Sequence, residues 1–131
     1  MLISYFLYTS RLVPEANVAC VSEIVKKARL ANAISGITGV LGFDGEKFVQ
    51  YVEGPSAAIL ELLAAIERDP RHTDFDIKAQ GESIAERRFQ EWQMGYADLE
   101  EFPFDFRGLQ VLRDHAALEY FQENAKLMDF A

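Results

Sequence analysis

Basic residues and cysteines are scarce in this chain, and each scarcity excludes a class of function. Of the 131 residues, 13 are Lys or Arg and 21 are Asp or Glu, which gives a formal net charge of -8. Nonspecific attachment to nucleic acid or to acidic lipid needs a concentrated basic surface, so we expect neither as a partner. The one cysteine, Cys20, cannot form an internal disulfide, and no spacing of cysteine and histidine resembles a zinc site. We therefore predict a cytoplasmic protein without a metal site.

Long hydrophobic runs and the common catalytic motifs are also missing. No stretch is long and apolar enough to span a membrane. The sequence contains no G-x-G-x-x-G turn after the first strand, no P-loop and no G-x-S-x-G nucleophile turn. Half of the residues are hydrophobic, which is enough for one domain with a core of its own. We expect a single globular domain.

Alternating hydrophobic residues predict five strands. They cover residues 2–10, the runs "SGITGVLGF" and "EKFVQYVE", residues 74–82 and residues 87–96. The two runs are joined at Asp44-Gly45, a dipeptide that suits a tight hairpin turn. In the last strand, the alternation places Trp92, Met94 and Tyr96 on one face.

Helical spacing of apolar residues predicts two helices between these strands. The first covers residues 15–31, with Pro14 near its start. The second follows Ser56, a candidate N-cap, and ends before Pro70. Residues 109–129 suggest one or two terminal helices. The order β-α-β-β-α-β-β predicts an α+β, ferredoxin-like fold with one mixed sheet, two helices on one face and the C-terminal helices covering the other.

An amide lies on a strand face that should be buried. Phe48, Gln50 and Val52 point the same way along their strand. An unsatisfied amide removed from water costs roughly 1–3 kcal/mol. Either the protein or a bound molecule must therefore supply a hydrogen-bonding partner for Gln50.

Other polar residues are expected near this amide. The helix-facing side of the sheet would bring together Tyr8, Leu41 and Gln50 from three strands. A buried tyrosine and a buried glutamine can simply bond to each other. Asn32, at the C-terminal end of the first helix, is either a helix cap or a third polar group aimed at the same space.

Five segments, in order and with consistent spacing, resemble the BLUF family of blue-light sensors that use FAD. They are "YTSR", "NAISGITG", "FVQYVEGP", "DPRH" and "RRFQEWQMG", which together span roughly the first three quarters of the chain. The resemblance implies that a flavin ring lies between the two helices, over the sheet. The cofactor it implies is FAD, with FMN and riboflavin left open. The implied flavin-contacting residues are Tyr8, Ile24, Asn32, Leu41, Phe48, Gln50, Ile66, Asp69, Arg71 and His72.

The resemblance also implies a role for particular residues. Tyr8 and Gln50 would form the photoactive pair, in which light rearranges the hydrogen bonds between tyrosine, glutamine and flavin. The amide either rotates or tautomerises. Trp92 and Met94 would relay this change out of the pocket.

The same resemblance implies a domain plan and a mode of output. Residues 1–97 would form the flavin-binding domain and residues 98–131 a helical extension of it. As a short single-domain form, the chain is expected to be a photoreceptor and not an enzyme, to signal through an unidentified downstream protein and to form a homo-oligomer.

Two alternatives belong to other functional classes. One is a flavin-free interaction module, which the intact set of Tyr8, Asn32 and Gln50 disfavours. The other is an acylphosphatase-like small hydrolase. That activity needs an anion-cradling loop after the first strand, where Pro14 lacks an N–H donor.

Overall fold

The computed structural model describes residues 3–83, 86–90 and 92–131, and within these ranges the chain forms a sheet flanked by helices on both faces. The elements are β1 (Ile3–Leu12), α1 (Cys20–Ser35), β2 (Thr38–Phe43), β3 (Lys47–Pro55), α2 (Ser56–Arg68), β4 (His72–Ser83), β5 (Gly95–Asp98), α3 (Phe106–Gln110) and α4 (Asp114–Ala125). This order confirms the predicted β-α-β-β-α-β-β pattern and the terminal helices. Residues 2 and 91, which two predicted strands include, lie outside the described residues.

The described strands form one sheet in the order β4-β1-β3-β2-β5. All neighbouring pairs are antiparallel except β2 and β5, which are parallel. Two crossovers, β1-α1-β2 and β3-α2-β4, each skip one strand. Val25 of α1 and Ile59 of α2 pack in the same core, so both helices lie on one face of the sheet. The mixed sheet and the ferredoxin-like arrangement are confirmed.

Two hydrophobic cores lie on opposite faces of the sheet, because successive strand residues point to opposite sides. On β1, Phe6 and Tyr8 face α1 and α2, whereas Leu7 faces α3 and α4. On β3, Val52 belongs to the core under α1 and α2, and Tyr51 belongs to the core under α3 and α4. The C-terminal helices therefore cover the face that α1 and α2 leave open, as predicted.

The predicted start of the first helix was wrong. The helix begins at Cys20, and the residues after Pro14 form turns. In these turns the side chain of Asn17 accepts a hydrogen bond from the backbone N–H of Ala19. Such a local bond offers the backbone an alternative to the helix, and proline near a helix start fits a turn equally well.

The end of α1 is set by a glycine. Gly36 has φ +74°, a left-handed conformation that glycine adopts without steric cost, and its backbone N–H donates to the carbonyl of Asn32. Asn32 is therefore a residue of the last helical turns and not the cap. Ser56 is also not an N-cap, because it is the first residue of α2 and its hydroxyl bonds to Ser4 and Glu82.

The last strand is shorter than predicted. β5 covers only Gly95–Asp98, so Trp92 and Met94 lie before it. These two side chains pack on opposite sides of the sheet, Met94 with the α1 and α2 core and Trp92 with the α3 and α4 core. The prediction that they share a face was wrong, because neither residue lies in the strand whose alternation would place them together.

Candidate functional site

A cavity lies between α1, α2 and the sheet. Its water-accessible part measures about 120 Å³, and the whole cleft out to its open mouth measures about 610 Å³. The cavity is lined by Tyr8, Ile24, Ala28, Asn32, Leu41, Phe48, Gln50, Leu62, Ile66, Asp69, Arg71, His72 and Met94. The structure thus brings all ten sequence-predicted contact residues to one place, together with Ala28, Leu62 and Met94.

The floor of the cavity is built by the register of three strands. Leu41 of β2 lies opposite Gln50 of β3, and Gln50 lies opposite Tyr8 of β1. All three side chains point to the α1 and α2 face and are buried. The pairing of β1 and β4 is irregular between Leu7 and Tyr8, and such bulges redirect side chains near functional sites.

Tyr8 and Gln50 are joined by a hydrogen bond inside the cavity. The Tyr8 hydroxyl donates to Gln50 Oε1. Gln50 Nε2 in turn donates to Met94 Sδ at 3.6 Å. A thioether is a weak acceptor, so the amide nitrogen keeps the capacity to bond a stronger acceptor in the cavity. The protein therefore satisfies the oxygen of this buried amide well and its nitrogen only weakly.

The environment of Tyr8 keeps its phenol protonated. Burial, and secondarily the negative charge of Asp69, raise its pKa well above the ordinary tyrosine value. Its ring packs against Phe75 at 4.8 Å between centroids and lies edge-on to His72 at 6.2 Å. Tyr8 is consequently a hydrogen-bond donor to Gln50.

The walls of the cavity come from the two helices. Ile24, Ala28 and Asn32 occur at intervals of four residues on α1, and Leu62 and Ile66 have the same interval on α2. Residues spaced in this way lie on one helical face. Two largely apolar walls thus face each other across the slot.

Asn32 places a second amide at the cavity. Its side chain is 2% exposed, and Nδ2 donates to the backbone carbonyl of Gln93 at 2.6 Å. This bond fixes the amide plane and leaves Oδ1 as an acceptor. Asn32 therefore belongs to the site and is also tied to the segment before β5.

An ion pair lies at the end of α2. Arg71 Nε donates to both carboxylate oxygens of Asp69, at 2.9 and 3.1 Å, and Nη2 donates to Oδ2 at 2.5 Å. This hydrogen bonding is the main reason that the pKa of Asp69 lies below its usual range. The paired arginine holds a fixed positive charge at the cavity.

His72 is held by bonds to both ring nitrogens. Nε2 lies 2.6 Å from the carbonyl oxygen of Ile66, which can only accept, so Nε2 carries a proton. Nδ1 lies 2.8 Å from Ser10 Oγ, and in the neutral ring it accepts from that hydroxyl. Ser10 was not among the predicted site residues, although strand alternation places it on the same face as Tyr8.

The two predicted relay residues have different positions. Met94 lines the cavity and contacts Gln50, whereas Trp92 lies outside it. Trp92 contacts Gly95, and its carbonyl accepts from the N–H of Gly39 at 2.8 Å. Arg29, which was also not predicted at the site, donates from Nε to the Met94 carbonyl at 2.9 Å. A charged residue on a helix surface carries no pattern that predicts such a contact.

These residues fit a flat heteroaromatic ring. The helical walls are apolar and face each other, and the polar groups of Gln50, Asn32 and Arg71 lie around the slot. The spare bonding capacity of the Gln50 amide matches a carbonyl or ring nitrogen acceptor. Within the described residues, no cluster of His, Cys, Asp and Glu could hold a metal ion, and no helix is both long and apolar enough to cross a membrane.

Comparisons with known proteins agree on one family. The family model "BLUF: Sensors of blue-light using FAD" matches residues 3–95. The blue light- and temperature-regulated antirepressor BluF of Escherichia coli is 34% identical over 71 residues, which are 54% of this chain and 18% of BluF. This chain spans less than a fifth of the length of the curated relatives that it matches.

The whole fold resembles that of solved structures, among them BlrB and BlsA. The dark-state structure of BlrB, a BLUF protein, has a TM-score of 0.74 and 27% identity, with 94% of each chain covered. The ground-state structure of BlsA has a TM-score of 0.81 and 25% identity, with 100% of this chain and 91% of that chain covered. In both comparisons the similarity extends beyond residue 95 into the terminal helices.

Proposed function

The chain belongs to the BLUF family of blue-light sensors that use FAD, and we propose that its light response is carried by Tyr8, Gln50 and Met94. The observation that carries this proposal is the hydrogen bond from Tyr8 to the Gln50 amide inside the cavity. The ten residues Tyr8, Ile24, Asn32, Leu41, Phe48, Gln50, Ile66, Asp69, Arg71 and His72 are proposed to hold the flavin.

Each part of the cavity has its own task in binding. The α1 and α2 walls hold the ring plane and exclude water from it. Gln50 and Asn32 offer hydrogen bonds to polar atoms at the ring edge, and Arg71 offers a positive charge that Asp69 orients. Bound FAD supplies the absorption of blue light and, once excited, a strong oxidant.

The chain's own response begins at the Tyr8 hydroxyl. A phenol that gave up an electron to that oxidant would release its proton along the bond to Gln50 Oε1, and the return of both would leave no covalent product. Rotation of the amide exchanges its two ends and puts Oε1 toward Met94 Sδ, which cannot donate. Tautomerism instead leaves Nε2 with one proton fewer and Oε1 with one more, which makes Oε1 a donor. Rotation breaks the Gln50–Met94 contact and tautomerism reverses the Tyr8–Gln50 bond, so in either case the partners must repack.

Met94 carries the repacking outward. Its carbonyl is bonded to Arg29 of α1, and the neighbouring Gln93 carbonyl to Asn32. A shift of Met94 therefore changes how the segment before β5 lies against α1. We propose that Met94 and Trp92 relay the signal in this way.

The remaining proposals concern organisation and output. Residues 1–97 would be the flavin-binding domain, and residues 98–131 an extension that shares a core with the sheet. Without a catalytic role of its own, the chain would act in the cytoplasm by light-dependent association with another protein or within a homo-oligomer. A pull-down compared between darkness and illumination, together with the elution volume in size-exclusion chromatography, tests this output.

The proposed photochemistry is tested by a light-minus-dark absorption spectrum. The purified protein should be yellow and show a reversible red shift in blue light. Gln50→Leu should retain flavin and lose the normal shift, because leucine neither accepts from Tyr8 nor donates to an acceptor. Gln80→Leu, at an exposed position of β4 outside the cavity, is the matched control. Colourless protein that does not take up added flavin, or a normal shift in Gln50→Leu, would contradict the proposal.

A further inference from the structure

A buried carboxylate lies on the sheet face opposite the cavity. The Glu53 side chain is 1% exposed, and a buried carboxylate is stable only when its oxygens are hydrogen-bonded. Oε1 accepts from the Tyr51 hydroxyl at 2.9 Å, and Oε2 accepts from the backbone N–H of Phe89 at 2.8 Å. One side chain of β3 thus bonds to residues 86–90, the described segment that leads toward Trp92 and Met94.

Neighbouring contacts hold the same segment. Arg88 donates to the Tyr51 hydroxyl at 3.2 Å and lies over the ring of Tyr5 at 5.5 Å. Arg87 donates to the backbone carbonyl of Glu53 at 3.4 Å. The Tyr51 hydroxyl therefore accepts from one cation and donates to Glu53, so its proton has a single direction.

We call the bonds of Glu53 to Tyr51 and Phe89 the Glu53 anchor. This anchor lies on the same strand, β3, as the Gln50 amide. Gln50 and Glu53 are three residues apart on one strand, so they point to opposite faces. Gln50 contacts the side chain of Met94. Glu53 accepts from the backbone N–H of Phe89, which precedes Met94 by five residues. The same strand thereby contacts the segment before β5 at two points, one on each face of the sheet.

We propose that Glu53 is a positioning residue for the light response: by holding residues 86–90 on β3, it sets the position of Met94 beside Gln50. This inference rests on the proposed function. Any displacement of Met94 must be absorbed between the Glu53 anchor and β5, which begins at Gly95. Loosening the anchor should change how easily the displaced segment returns.

Glu53→Gln is the sharpest probe because it keeps the size of the side chain. Both partners of the carboxylate, the Tyr51 O–H and the Phe89 N–H, are donors, whereas an amide offers one acceptor and one donor. The Phe89 N–H needs the amide oxygen, so the bond from the Tyr51 hydroxyl must be lost or reversed, and neither remaining contact is charge-assisted. Tyr51→Phe removes one contact and leaves the carboxylate in place. Glu61→Gln, at an exposed position of α2, makes the same chemical change outside the anchor.

Trp92 supplies a readout that does not depend on the flavin photocycle. It is the only tryptophan in the sequence, so tryptophan emission reports on this segment alone. In darkness, Glu53→Gln should raise the quenching of that emission by acrylamide, and Tyr51→Phe should raise it less. After illumination, dark recovery of the red shift should change by roughly tenfold in Glu53→Gln, as expected from losing one charge-assisted bond. The size of the red shift should stay normal, because Tyr8 and Gln50 are on the other face.

The outcomes separate this inference from the proposed function. A normal red shift in the wild type, with quenching and recovery unchanged in both variants, overturns the positioning role and leaves the proposed function intact. Raised quenching in Glu53→Gln would support the anchor. If the wild-type protein at the same time showed no red shift, the proposed function would be overturned. If Glu53→Gln does not fold, the same two measurements on Tyr51→Phe decide the matter.

Discussion

Removing the Tyr8 hydroxyl tests the central contact of the site in two independent ways. Tyr8→Phe deletes the donor to Gln50 Oε1 and leaves the ring that packs against Phe75 and His72. The variant should therefore keep its flavin and lose the normal red shift. It should also be less stable, because the amide oxygen it orphans belongs to a side chain that is only 6% exposed.

The expected loss of stability follows from the burial of both partners. Leaving a buried polar group without its partner costs about 1–3 kcal/mol, and this applies to Gln50 in Tyr8→Phe and to Tyr8 in Gln50→Leu. The double variant removes both groups, and replacing both partners by apolar groups costs much less than breaking the pair. The sum of the two single losses of unfolding free energy should therefore exceed the loss in the double variant by about 1 kcal/mol or more. This difference lies within the range usual for residues in contact.

Urea denaturation of the flavin-bound protein in darkness measures the four unfolding free energies. The light-minus-dark spectrum of the same samples gives the photochemical result. Tyr96→Phe removes a phenol hydroxyl outside the cavity and controls for the general effect of the substitution. Additive single effects, together with a normal red shift in Tyr8→Phe, would refute the reasoning that the two side chains act as one buried unit.

Three further predictions concern stability. Gly36→Ala should cost about 1–2 kcal/mol in urea denaturation, because φ is +74° there while the added Cβ meets only ordinary contacts with Pro55 at 3.7 Å; an unchanged unfolding free energy would contradict this. The Arg71 contact lowers the pKa of Asp69, so the ion pair stabilises the fold fully above the ordinary aspartate pKa of about 3.9. This contribution is lost as the pH falls further. In Asp69→Asn, the unfolding free energy should therefore depend less on pH in the acidic range. Burial raises the pKa of Tyr8, so its protonated phenol stabilises the fold fully below about pH 10. This contribution is lost at higher pH. From neutral to strongly alkaline pH, Tyr8→Phe should therefore lose less unfolding free energy than the wild type.

Periodicity predicted the parts of the fold that local chemistry determines. The two-residue alternation of β1 and β3 places Tyr8 and Gln50 on one buried face, and hairpin chemistry at Asp44 and Gly45 joins β2 to β3. In the structure Gly45 has φ +95°, and Asp44 Oδ1 accepts from the backbone N–H of Glu46 and of Lys47. Register then follows, because a slip by one residue would move the polar pair to the wrong face.

The segment before β5 could not be predicted because its bonds are long-range. Trp92 and Met94 alternate as strand residues do, yet Trp92, Gln93 and Phe89 bond through their backbones to residues far away in the sequence. Their partners are Gly39, Asn32 and Glu53, respectively. No propensity or spacing within residues 87–96 distinguishes these contacts from a strand ladder. Those long-range bonds also decide which side of the sheet each side chain reaches.

The weakness of one contact in the cavity is itself suited to switching. Gln50 Nε2 has Met94 Sδ as its partner, and a thioether is flexible, polarizable and a poor acceptor. A carbonyl or carboxylate at that place would hold the amide firmly in one orientation. The Met94 side therefore adds little to the stability of the present amide orientation, which depends mainly on the bond from Tyr8. Replacing Met94 by a strong acceptor should therefore suppress the response even though the Tyr8–Gln50 bond remains intact.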